Sequence, residues 1–131
     1  MNADAIVHLL RQRLPNLMAV YAFGSRIQGT ADADSDLDLA VLVPGYAEPV
    51  ALWSLASEVA DVAGCHVDLL DMRAASTVMQ HQVLTTGVTW WRRDDDVMMW
   101  EAAMLNEMLA LDEARAPLMA DILRRGSVYG Q

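Results

Sequence analysis

The stretch from residue 36 to residue 43, DLDLAVLV, restricts the fold more than any other part of this chain. Asp36 and Asp38 alternate with Leu37, Leu39, Val41 and Val43. On a strand that alternation sends both carboxylates to one face and the hydrocarbon side chains to the other. Pro44-Gly45 then ends the strand. Two carboxylates held this close are unfavourable unless a cation lies between them. The segment therefore calls for a sheet, a core beneath one side of it, and a polar site at the strand's beginning.

The flanking sequence supplies the other layers. Residues 4–14 carry Ile6, Leu9, Leu10 and Leu14 at helical spacing, with Pro15 as a stop. LMAVYAF, residues 17–23, reads as a buried strand broken by Gly24-Ser25. Residues 26–35, RIQGTADADS, are polar and turn-rich. Pro49 to Ala63 forms a helix with Leu52, Leu55, Val59 and Val62 on one face and Gly64 at its end. Residues 65–71, CHVDLLD, make a third strand. Ser76 to Thr86 is a short helix closed by Gly87, and residues 88–92, VTWWR, are a last short strand. A helix then runs from about Val97 to Ala114, and Pro117 opens a final one to Arg125. The expected fold is α/β (α+β): a small mixed sheet with helices on one side and a C-terminal helical hairpin. We expect one domain over residues 1–131, with its core in about 1–92 and the C-terminal helices in about 95–126.

Composition narrows the class of function. Hydrophobic residues make up 54% of the chain, enough for one real core in 131 residues. The net charge is −9, and the nine basic residues are scattered arginines. A protein that grips a phosphate backbone presents a basic patch, so nucleic acid is not the expected ligand. Cys65 stands alone, so no internal disulfide can form. The N-terminus lacks the apolar run of a signal peptide or membrane span, so no membrane is expected and the default location is cytoplasmic.

The chemistry concentrates in YAFGSRIQGTADADSDLDL, residues 21–39. A glycine after a strand lets the backbone approach a ligand closely. A helix turn starting there would aim free N–H groups at phosphate oxygens, and Ser25 adds a hydroxyl. Ten residues separate Ser25 from Asp36. A third carboxylate is offered by Asp68, which interrupts the apolar run Val67, Leu69, Leu70. An aspartate there is costly without a partner. Beside Asp36 and Asp38 it would complete a cage for Mg²⁺, a hard ion that prefers oxygen ligands. Arg26 could reach a phosphate and Ser35 could orient the turn before Asp36, although each also suits a plain loop role. Asp32 and Asp34 read as solvated loop residues, Asp71 as a strand-end residue, and His66 as a packed or hydrogen-bonded residue.

This pattern resembles the nucleotidyltransferase superfamily of DNA polymerase β and the aminoglycoside nucleotidyltransferases. Within it the chain looks most like the minimal (MNT) group, the MntA-type antitoxins of HEPN/MNT toxin–antitoxin systems. GSRIQGTADADSDLDLAVLV carries the resemblance, which continues through VDLLDM and MQHQVLTTGVTWW. It implies a nucleotidyltransferase fold in which Gly24 and Ser25 contact the triphosphate of ATP. It further implies that Asp36, Asp38 and Asp68 bind two Mg²⁺ ions, and that Asp68 helps deprotonate the incoming hydroxyl. The implied activity is AMP transfer to a tyrosine of a partner HEPN toxin, in a hetero-oligomer, with release of pyrophosphate. Two alternatives stay open: transfer to an aminoglycoside-like small molecule, and a non-catalytic antitoxin that acts by binding alone. The helix at 97–114 carries apolar residues over a wide arc, with Met98, Ala102, Leu105 and Leu109 on one face and Trp100, Met104, Met108 and Leu111 widening it. Such an arc serves either a partner surface or packing on two sides.

Overall fold

The computed structural model describes residues 2–24 and 36–107. Its elements are α1 (Ala3–Arg13), β1 (Ala19–Phe23), β2 (Leu37–Leu42), α2 (Pro49–Ala63), β3 (Val67–Asp71), α3 (Thr77–Thr86) and β4 (Val88–Arg92). A further helix, α4, spans 96–107. The second helix of the expected C-terminal hairpin lies outside the described residues.

Local chemistry sets the helix ends. Asn2 accepts a hydrogen bond from the Ala5 amide at 3.1 Å and so caps α1. The Glu48 carboxylate accepts from the amides of Val50 and Ala51, and Pro49 sits where its missing N–H costs nothing. Gly64 closes α2 with φ of 75°, a left-handed conformation that suits glycine. Ser76 Oγ accepts from the Met79 amide at 3.1 Å and starts α3.

The sheet order is β3-β2-β1-β4. β1 runs antiparallel to both β2 and β4, while β2 and β3 are parallel and joined through α2. The sheet is therefore mixed, as expected for this α/β class. The helices, however, do not lie on one side. α1 and α2 cover one face, where Ile6, Leu10, Leu52, Leu55 and Val59 pack on Val20, Ala22, Leu39 and Val41. α3 and α4 cover the other, where Val83, Val97 and Met104 pack around Tyr21, Ala40 and Leu42. The correction has a plain cause. β1 and the second half of β2 are apolar at every position, so both of their faces need cover. Fully burying each large aliphatic side chain contributes about 1.5–3 kcal/mol, so neither layer is dispensable.

On the second face β4 sets Thr89 and Arg92 beside Tyr21 and Ala19, and the starts of β2 and β3 bring Asp38 and Asp68 side by side. There the alternation leaves a short polar area between α3 and the outer edge of the sheet.

Candidate active site

The polar area is built by strand pairing. In the parallel ladder Leu37 lies opposite Val67 and Asp38 opposite Asp68. Leu37 and Val67 point into the α1/α2 core, so Asp38 and Asp68 stand side by side on the other face. Asp36, two residues before Asp38, shares that face and is exposed. The two stretches of chain that carry the predicted acids therefore do meet at one place. Asp38 is half-buried, whereas Asp68 is exposed.

β1 ends against the same spot. Phe23 pairs with Asp38 in the antiparallel ladder, and Gly24 follows with φ of 84°. A Cβ on residue 24 would collide with Asp38 Oδ2 and lie 3.1 Å from Asp38 Cγ. Glycine is thus required both by the backbone angle and by the close passage over the carboxylate. Ser25, Arg26 and Ser35, expected at the nucleotide, lie outside the described residues.

Electrostatics at the site favour added positive charge. Burial, followed by the neighbouring carboxylates of Asp68 and Asp36, raises the Asp38 carboxyl above its ordinary range. The donor set is three carboxylates at the starts of two adjacent strands. Hard divalent ions such as Mg²⁺ fit that chemistry, because they keep water and leave room for phosphate oxygens. A cleft of about 590 Å³ opens beside the acids, lined by Asp38, Asp68, His66, Phe23, Leu70 and Met79 among others.

His66, expected to be packed or hydrogen-bonded, is not packed. It is exposed, and its Nε2 lies 3.5 Å from Asp68 Oδ1. Donor atoms of Asp36, His66 and Asp68 all fall within 4.8 Å of one another. The signal in the sequence was its position two residues before Asp68, the same spacing as Asp36 and Asp38. Asp71 is structural, as expected of a strand-end residue. It is buried, and its carboxylate accepts from the amides of Ala47 at 2.8 Å and Arg73 at 3.1 Å.

A strand ending in glycine, laid against paired aspartates at the starts of two parallel strands, defines a nucleotidyltransferase class. The chain belongs to the polymerase beta nucleotidyltransferase family, whose domain it matches over residues 4–96. It is 35% identical over 123 residues to the protein adenylyltransferase MntA of Shewanella oneidensis, an alignment that spans 94% of this chain and 88% of that protein. It is also similar to the chain in a crystal structure of a toxin–antitoxin with AMP-PNP. There the TM-score is 0.81 and the identity 35%, over 94% of this chain and 99% of that one. A chain from the complex of tri-AMPylated Shewanella oneidensis HEPN toxin with MNT antitoxin matches with a TM-score of 0.73 and 31% identity. That match covers 92% of this chain and 95% of the other.

Proposed function

We propose that the chain is a Mg²⁺-dependent protein adenylyltransferase that transfers AMP from ATP to a tyrosine hydroxyl of a partner HEPN toxin and so acts as its antitoxin. The observation that carries this reading is the in-register pairing of Asp38 and Asp68 beneath Gly24. Similarity to MntA, and to chains solved with AMP-PNP and with an AMPylated HEPN toxin, gives the nucleotide and the acceptor class.

In this reading the acceptor oxygen attacks the α-phosphorus of ATP. The bond from that phosphorus to the β-phosphate oxygen breaks, and pyrophosphate leaves with the displaced electron pair. Asp68 takes the hydroxyl proton. Gly24 and Ser25 would hold the triphosphate, and Arg26 and Ser35 would add contacts to the nucleotide. Asp36, Asp38 and Asp68 would hold Mg²⁺, which when bound supplies positive charge to the phosphates and to the departing pyrophosphate.

The test uses labelled ATP, Mg²⁺, the purified chain and a purified HEPN-domain toxin such as the product of an adjacent gene. Label is expected on a toxin tyrosine, with loss of toxin ribonuclease activity. The Asp36→Ala/Asp38→Ala variant should keep its circular dichroism spectrum yet lose both effects, with a drop in rate of about a thousandfold or more. If that variant still silenced the toxin, inhibition by binding alone would replace the enzymatic reading.

A further inference from the structure

The polar side chains at the starts of β2 and β3 form a two-by-two array. Asp38 stands beside Asp68. One step earlier Asp36 stands beside His66, whose carbonyl accepts a hydrogen bond from the Leu37 amide at 2.9 Å. Each strand contributes two positions separated by one residue, so all four side chains share one face. Three of the corners are carboxylates and the fourth is an imidazole.

Among the described residues nothing packs the imidazole into that corner. The His66 side chain is 68% exposed, so it is not a core histidine that merely lies near the acids. Its Nε2 is nevertheless within ligand reach of the point that Asp36 and Asp68 share. Mg²⁺ gains little by exchanging a water for a nitrogen donor, because it prefers oxygen. Later first-row transition ions gain more from that exchange, since affinity for a nitrogen-containing site rises from Mn²⁺ through Co²⁺ to Ni²⁺, whereas Mn²⁺ is an oxygen-seeking ion like Mg²⁺.

We propose that His66 is a nitrogen ligand that biases this site toward later first-row transition ions such as Co²⁺ over Mg²⁺. The proposal rests on the reading of the site as a divalent-ion transferase centre. His66 thus sets which ion the site prefers, while the carboxylates set that an ion binds at all.

The experiment titrates the metal-free full chain with MnCl₂, CoCl₂ and MgCl₂, comparing the wild type with His66→Asn and Asp68→Asn. Free Mn²⁺ is followed by electron paramagnetic resonance and the other ions by calorimetry. His66→Asn should weaken Co²⁺ binding roughly tenfold, Mn²⁺ binding by less, and Mg²⁺ binding by less than about twofold. Asp68→Asn should weaken all three ions. In pulsed spectra of the Mn²⁺-loaded protein, modulation from a coordinated imidazole nitrogen should appear in the wild type and vanish in His66→Asn. An unchanged ion ratio, or no nitrogen modulation in the wild type, would overturn the role of His66 while leaving the transferase reading intact. If the wild type bound none of the ions and labelled no partner, the transferase reading itself would fall, and His66 with it.

Discussion

Asp38 sits half-buried between two other carboxylates, so its ionised form is the costly one. Its titration in the folded chain lies above the ordinary value of 3.8. The native state therefore binds this proton more tightly than the unfolded chain does, and native stability falls as pH rises from about 3.8 through the folded midpoint. Above that midpoint the deficit is fully present. We expect Asp38→Asn to raise the melting temperature of the metal-free protein at neutral pH and to flatten this part of its pH dependence. Saturating Mg²⁺ should narrow the difference by stabilising the wild type more. A melting temperature that is unchanged or lower in Asp38→Asn would refute the electrostatic account. At this scale the acids were legible, because each interrupts an alternating apolar strand. His66 was not. Its place two residues before Asp68 puts it on the same strand face, but that spacing does not separate a ligand from a hydrogen-bonded histidine until the neighbouring strand supplies Asp36.

Helix α4 illustrates how one buried polar residue can disguise an element. Its buried positions are Val97, Glu101 and Met104, one stripe at helical spacing. The arc through Met98 and Ala102 faces outward, and Met98, Met99 and Trp100 are all exposed to some degree. The apolar pattern alone therefore pointed to a neighbouring stripe, because the true one has a glutamate at its centre. That glutamate has partners distant in sequence. Glu101 Oε2 accepts from the Tyr21 hydroxyl at 2.6 Å and from Arg92 Nε at 3.0 Å, and Oε1 accepts from Arg92 Nη2 at 2.8 Å. Burial, and then the Glu101 carboxylate, push the Tyr21 phenol well above its ordinary range, so it stays a donor. Glu101→Ala should cost roughly 2–4 kcal/mol, since it leaves a buried hydroxyl and a partly buried guanidinium unpaired. Urea unfolding would measure the loss, and hydrogen exchange should speed up first in 96–107. Exchange that remained slow there would mean that Val97 and Met104 hold the helix without the polar link. The other elements were readable to within two residues because capping side chains mark their ends. The distribution of helices over both faces was less so, since a continuous apolar strand does not say which helix covers which side.

The molecule as a whole carries a net charge of −9, and a nucleoside triphosphate is also an anion. An acidic cleft in an acidic chain repels that ligand over several ångströms, so nucleotide affinity must depend on a cation that neutralises both partners. AMP-PNP with Mg²⁺, at a hundred times its Kd, should stabilise the fold by about 2.7 kcal/mol. With a chelator in place of Mg²⁺ the same nucleotide should give almost no shift in thermal melting. A full shift without metal would mean that arginines, rather than an ion between carboxylates, carry the phosphate contacts. No helix among the described residues is long and apolar enough to cross a membrane.

The parallel pairing of β2 with β3 has one more outcome. Side chains on a strand alternate between its faces, so a molecule that assembled these strands one position out of step would turn the acid at 68 into the oily layer and Val67 outward. The error would forfeit stability and chemistry together. Misassembled copies should therefore fall to proteolysis instead of lingering as half-competent impostors, and the folding of this chain acts as its own inspection step.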